Sequence, residues 1–212
     1  PLESTTRAAR GATGRRNDPP TPDRSGFPKV LFIGTSLTAG YGLDNPADDA
    51  YPAVVQRIAD SLGVHAWVVT AGVSGETSAG ALRRADWLLR ERAEVVVIET
   101  GANDGLRGLD PDSTAANLRA VIAKVRAANA ATKILLVQME APTNLGANYT
   151  RRFHDVFGRV AASENVTRLR FLLDGVAGIE RLNQPDGIHP TPEGARLAAR
   201  NIWPGLERAL RR

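Results

Sequence analysis

The sequence predicts an α/β protein, a five-stranded parallel sheet covered by helices on both faces. Three observations carry that reading. Apolar runs of strand length recur five times, segments of helical period separate them, and the apolar content leans on Ala, Val, Leu and Ile with only 5% aromatics, the mix found in strands buried on both sides. Alternation of strand and helix implies right-handed crossovers and a parallel sheet. With 212 residues, 42% of them hydrophobic, the chain holds one sizeable core and too little material for two ordinary domains.

Residues 1–28 are rich in Arg, Thr, Pro, Gly and Ser, and before Phe27 their apolar side chains are Leu2 and a few alanines. Such a segment buries too little surface to offset its ordering entropy, so it reads as a disordered leader or linker ahead of a domain at 29–212. The strand-length runs follow at Lys29–Gly34, Val64–Thr70, Glu94–Thr100, Lys133–Met139 and Arg168–Leu173. Helices fit Ala50–Leu62, Ser78–Arg92 and Asn148–Asn165. A further helix carries Leu118, Val121, Ile122 and Val125 on one face, with Asp110 as its cap and Pro111 at its first position. Thr191 and Pro192 repeat that start before the last helix.

Composition excludes several classes of function. Five arginines against three acids in residues 1–28, together with Arg211 and Arg212, account for the net charge of +4. The body between is neutral and has no Lys/Arg stripe, so no nucleic-acid partner is expected. No apolar run approaches the ~20 residues that span a bilayer, which argues against stable membrane insertion. Without cysteine there is no disulfide, thiol nucleophile or cysteine metal site, and three scattered histidines without H-E-x-x-H give no metal shell. The Gly34–Gly40 loop matches neither G-x-G-x-x-G nor a P-loop, so no nucleotide cofactor is expected, and no G-x-S-x-G elbow is present.

In a sheet of this kind ligands bind beyond the carboxyl ends of the strands. Three glycine-bearing loops meet there: Gly34 to Gly40, Ala71 to Thr77 and Gly101 to Asp104. Ser36 in the first is either a helix start or ST-turn residue or a nucleophile. Asp186, three residues before His189, is either a turn residue ahead of Gly187 or the group that orients the imidazole. His65, at a strand start, and His154, within a helix, read as structural. Asn103 is either an Asx-turn residue or a donor to an oxyanion, for which the Ser36 and Gly72 amides on neighbouring strand ends would be the companions.

These residues stand in four ordered blocks: Gly34-Thr35-Ser36-Leu37, Gly72, Gly101-Ala102-Asn103-Asp104 and Asp186-Gly187-Ile188-His189-Pro190. Together they resemble the SGNH, or GDSL, hydrolase superfamily over nearly all of residues 29–210. Ala39-Gly40-Tyr41-Gly42-Leu43, the run Gly101 to Leu109 and Gln184 to Thr191 are similar to its bacterial thioesterase I, arylesterase and lysophospholipase branch. The resemblance implies a flavodoxin-like three-layer α/β/α sandwich and a metal-free serine esterase without cofactor. Its substrates would be small carboxylic esters, and by extension thioesters, of short to medium acyl chains. It implies a catalytic triad of Ser36, Asp186 and His189 and an oxyanion hole of Ser36, Gly72 and Asn103. Gly105, Leu106 and Leu109 would form the lip of the acyl site. It also implies a monomer or weak homo-oligomer, located in the periplasm or outside the cell. An acyltransferase using the same triad and a catalytically silent acyl-binding module are the alternatives. The one departure is Thr35, where the family usually has Asp, and it places in question the hydrogen bonds around the nucleophile turn.

A His189 base must be neutral, so activity is expected to rise with pH through the ordinary histidine range near ~6.5. A rate that is flat from pH 5 to 9 in an ester-hydrolysis assay would contradict a histidine base.

Overall fold

The computed structural model describes residues 23–211. Five parallel strands, β1 (Lys29–Gly34), β2 (Trp67–Gly72), β3 (Val95–Ile98), β4 (Lys133–Gln138) and β5 (Thr167–Phe171), form one sheet in the order β2-β1-β3-β4-β5. Eight α-helices cover it: α1 (Ser36–Ala39), α2 (Pro46–Asp49), α3 (Tyr51–Ser61), α4 (Ser78–Leu88), α5 (Ala102–Leu106), α6 (Pro111–Ala128), α7 (Ala147–Ser163) and α8 (Pro192–Arg211). The expected three-layer α/β/α architecture is present. Helices α3 and α8 pack on each other, while α4, α6 and α7 pack side by side.

Burial explains which strand boundaries differ from expectation. β1, β3 and β4 are buried almost throughout, matching their unbroken apolar runs. β2 and β5 lie at the sheet's edges and are only partly covered. β2 therefore starts later than the run from Val64 suggests and continues to Gly72, where it pairs with Gly34. Val64 and Ala66 are buried in the approach to the strand, not within it. The α4 helix ends at Leu88, four residues short of the expected Arg92, with Leu89 capping it.

The expected start of α6 is present, with Asp110 accepting a 3.0 Å hydrogen bond from the Ser113 amide. Its stripe of Leu118, Val121, Ile122 and Val125 is fully buried. The expectation of a disordered leader falls mostly on residues 1–22, outside the described residues. Its last part is corrected. Arg24 forms a two-pronged 2.8 Å pair with Asp60 of α3, and Phe27 packs 4.4 Å from the His65 ring, so chain that packs on the domain begins before Lys29.

Gly72 belongs to the sheet. A Cβ added there would sit 2.3 Å from the Ala39 amide nitrogen and 2.8 Å from the Thr35 carbonyl oxygen, both backbone atoms of the β1–α1 turn. Only a residue without Cβ lets that turn lie against the edge strand. Gly72→Ala is accordingly expected to destabilise the fold by about 1–3 kcal/mol through overpacking. Urea unfolding would measure it, and an unchanged midpoint would refute the close approach.

Candidate active site

The chain reverses its strand order between β1 and β3, and ligand sites of open α/β sheets lie at such reversals. Ser36 leaves the end of β1 as the first residue of the one-turn helix α1 and is buried. Its Oγ lies 2.8 Å from Nε2 of His189, 153 residues further along the chain. The other imidazole nitrogen, Nδ1, lies 2.6 Å from Oδ2 of Asp186.

Asp186 sits in a turn and also faces the imidazole. Its Oδ1 accepts the Ile188 and His189 amides at 2.9 and 3.0 Å, as a turn residue does, and its Oδ2 faces the imidazole. Burial alone would raise this carboxyl. The hydrogen bonds from the His189 ring and from the His189 and Ile188 amides outweigh it and bring the group down to about 2. Asp186 is thus an anion throughout the neutral range.

The loop carrying this pair is fastened from both sides. Asn183 and Pro190 form an isolated antiparallel bridge, and the Gln184 amide donates to the His189 carbonyl at 2.7 Å. The Gln184 side-chain amide donates to the Tyr41 and Pro190 carbonyls at 2.8 and 3.0 Å, tying the histidine loop to the serine loop. Gly42 makes this possible. It sits at φ +74°, and a Cβ there would lie 2.0 Å from Gln184 Oε1. The Tyr41 ring rests on the imidazole with centroids 4.8 Å apart.

Asn103 enters from the start of α5 after β3. Its Nδ2 donates to the Glu76 carbonyl at 3.0 Å, which fixes the amide plane and leaves its second N–H for another partner. Ser36, Asp186, Asn103, Leu106 and His189 all line one cleft of roughly 800 Å³, together with Tyr41 and Gly75. Leu106, Met139, Pro142, Phe171, Leu173 and Ile188 make much of its wall apolar.

Three expected site residues are not in that lining. Gly72 is held in the β1–β2 ladder, and the loop after β2 reaches the cleft three residues later, at Gly75. Gly75 has φ +75° within a turn closed by the Glu76 amide and the Val73 carbonyl, and Arg107 clamps its own carbonyl at 2.9 Å. Gly105 faces α7 beneath the loop, where a Cβ would meet the Phe153 ring at 3.0 Å. Leu109 turns away with its carbonyl held by the Tyr149 hydroxyl at 2.7 Å. Tyr41 and Gly75 line the cleft without having been expected there. Tyr41 belongs to the Ala39–Leu43 run, and Gly75 differs from Gly72 in how far the loop must reach. His65 and His154 lie elsewhere, His154 bonding Glu140 at 2.8 Å from an exposed face of α7. Among the described residues, no three His, Cys, Asp or Glu side chains cluster as a metal site would require.

A parallel α/β sheet with a Ser–His–Asp relay at its switch point defines a class of hydrolase fold, and comparison with known proteins identifies the family. Residues 32–197 match the model of the GDSL-like lipase/acylhydrolase family. The chain is 41% identical over 183 residues to esterase TesA of Pseudomonas aeruginosa, covering 85% of this chain and 89% of that protein. It is 37% identical over 171 residues to thioesterase 1/protease 1/lysophospholipase L1 of Escherichia coli, covering 80% and 79% of the two chains. The crystal structure of the psychrotrophic esterase EstA from Pseudoalteromonas, inhibited by monoethylphosphonate, superposes with a TM-score of 0.80 at 31% identity, over 87% of this chain and 99% of that one. The chain belongs to the GDSL-like lipase/acylhydrolase family and is a serine esterase. No helix among the described residues is long and apolar enough to cross a membrane.

The Tyr41–His189 contact is of a kind that contributes about 0.5–1.5 kcal/mol. Tyr41→Ala is therefore expected to lower kcat several-fold, up to about tenfold, by loosening the imidazole. An unchanged kcat for ester hydrolysis would mean that Asp186 alone holds the ring.

Proposed function

We propose that Ser36 is the nucleophile, His189 the general base and acid, and Asp186 the group that orients and balances the imidazolium. The observation that carries this reading is the unbroken relay Ser36 Oγ, His189 Nε2, His189 Nδ1, Asp186 Oδ2, with separations of 2.8 and 2.6 Å, opening on an apolar cleft. His189 takes the Ser36 proton as Oγ attacks the acyl carbonyl, then gives it to the departing alcohol. Water repeats the sequence to release the acid and restore Ser36.

Charge on the carbonyl oxygen is met by the Ser36 amide, the free N–H of Asn103 and the Gly75 amide, with Gly75 taking the place first given to Gly72. The Ser36 amide is available because α1 is only starting there. Leu106 and the far apolar wall take the acyl chain, which favours esters of short to medium chains, and a thioester differs only in its leaving group. The resemblance to esterase TesA and thioesterase 1 supports a periplasmic or external location.

Hydrolysis of p-nitrophenyl esters from acetyl to palmitoyl tests this reading. Wild type is expected to prefer short to medium chains, and Ser36→Ala to lose the activity by about 10³-fold or more while staying folded. Activity surviving in Ser36→Ala would sink the assignment. A folded wild type inert on every ester would favour a silent binding module.

A further inference from the structure

Directly behind Ser36 lies a carboxylate that the relay does not use. Glu99, the residue after β3, is fully buried. Its Oε2 accepts the Thr35 amide at 3.0 Å, the Thr38 amide at 3.3 Å and the Thr38 hydroxyl at 2.8 Å, and its Oε1 accepts the Thr35 hydroxyl at 2.9 Å. Among the described residues no Lys, Arg or His forms an ion pair with it. The titratable group set against it is Tyr51 of α3, whose hydroxyl lies 2.8 Å from Thr38 Oγ1 and is raised by burial and by the charge of Glu99. Gly34 leaves the room, since a Cβ there would sit 1.9 Å from Thr38 Oγ1 and 2.7 Å from Glu99 Oε2.

We propose that Glu99 is a positioning residue for this esterase: its ionised carboxylate grips Thr35 and Thr38, the residues on either side of Ser36 and Leu37, and so sets the Ser36 Oγ and amide against His189 and the substrate. The inference rests on the assignment of Ser36 as nucleophile. Hydrogen-bond accounting favours the anion. Two of the four partners are amides that can only donate, and the Thr38 hydroxyl can give its proton to Glu99 because Tyr51 supplies one to Thr38. A protonated Glu99 would have to donate to the Thr35 hydroxyl, whose own hydrogen would then lose its acceptor. A glutamine side chain would likewise donate to the Thr35 oxygen and leave the Thr35 hydrogen without its acceptor. Either change loosens α1, and displacements of about 1 Å at a reacting group cost on the order of 10²-fold in rate. The acyl wall is not part of this network, so substrate affinity is spared.

Burial pushes Glu99 up to about 7, against the hydrogen bonds from Thr35 and Thr38. The clamp therefore lets go within the pH range in which histidine side chains ordinarily titrate. Two ionisations shape the acid side of the activity profile.

The experiment is kcat and KM for a p-nitrophenyl ester from pH 5 to 9 in wild type, Glu99→Gln and Thr35→Val, with thermal unfolding over the same range. In wild type, log kcat/KM is expected to fall with a slope approaching two on the acid side. Glu99→Gln is expected to show a slope of one and a kcat about tenfold to a hundredfold lower at pH 8, with KM within about threefold. Thr35→Val, which removes one donor from the anion, is expected to move the steep part of the limb to higher pH. Linkage supplies a readout independent of activity. Because Glu99 is raised in the fold, the unfolding temperature of wild type relative to Glu99→Gln should decline between pH 5 and 8.

A single-proton limb in wild type would overturn the inference without any variant. So would a Glu99→Gln enzyme with wild-type kcat, or losses in Tm that leave the pH profile unmoved. If Glu99→Gln does not fold, the Thr35→Val limb decides, and an unshifted limb refutes the clamp. Failure of the nucleophile assignment is separate, since it would appear as activity in Ser36→Ala whatever Glu99 does.

Discussion

The whole site depends on β1 being paired in register on both sides, with β2 along Lys29–Gly34 and with β3 along Val30–Ile33. That double pairing makes β1 the strand at which the chain reverses direction across the sheet, and it brings the ends of β1 and β3 together with a crevice between them. Ser36 follows β1 after Thr35, Asn103 follows β3 by a few residues, and Glu99 comes directly after the end of β3. No side chain in the cleft has to be carried there by a long mobile loop. The buried run Val30–Ile33, paired with Val95–Ile98, is what keeps Glu99 within hydrogen-bond reach of Thr35 and Thr38.

The histidine reaches the same place by a different device. It comes from the far end of the chain, after the edge strand β5, and is registered not by the sheet but by the Gln184 side chain bridging Tyr41 and Pro190. Gly42 is the matching piece on the serine side, because any side chain there would displace Gln184. Asp186 then spends one oxygen on building the turn and the other on the imidazole. The turn and the contact with the imidazole are thus made by one carboxylate, so a turn residue and a partner of His189 are not competing descriptions of Asp186.

What was legible in the sequence follows from whether a signal is local. The central strands are apolar runs because both faces are covered, and Asp186 and His189 stand three residues apart, so both could be read directly. The edge strand β2 was placed early because Val64 and Ala66 are buried before it begins, a fact of packing and not of periodicity. Gly72 and Gly75 are alike by type, and choosing between them requires knowing that β2 extends to Gly72 and that the turn after it carries Gly75 forward. Gly105 and Leu106 end α5 and Leu109 lies just beyond it, but only Leu106 of the three faces the cleft. Glu99 was hidden for the opposite reason. It ends a run of valines and isoleucine that reads as plain strand, and its meaning lies in Thr35, Thr38 and Tyr51, which come from the other side of the sheet's switch point.

Thr35 is where the chain departs from the family's usual Asp, and the departure is intelligible beside Glu99. Two carboxylates at the 2.9 Å separation of Thr35 Oγ1 and Glu99 Oε1 could not both ionise, so an acid pair there would share a proton. With a hydroxyl at position 35 every partner of Glu99 is a donor, and the site holds a single buried charge without a cation. Such a charge is expensive to the fold. A carboxyl at about 7 in the fold, against 4.5 outside it, favours the folded state when protonated, and that advantage drains away as pH rises from 4.5 through 7. At about 1.4 kcal/mol per pH unit the loss is on the order of 3 kcal/mol, a large fraction of the stability of an ordinary domain. Asp186 works in the reverse sense, since its lowered value favours the folded state fully above about 4, an advantage lost as pH falls toward about 2. A fold selected for stability alone would put an apolar or neutral side chain at position 99. Retaining a carboxylate against that cost, with Gly34 giving up its own side chain to admit it, ties the expense to the one element it grips, the turn that presents Ser36.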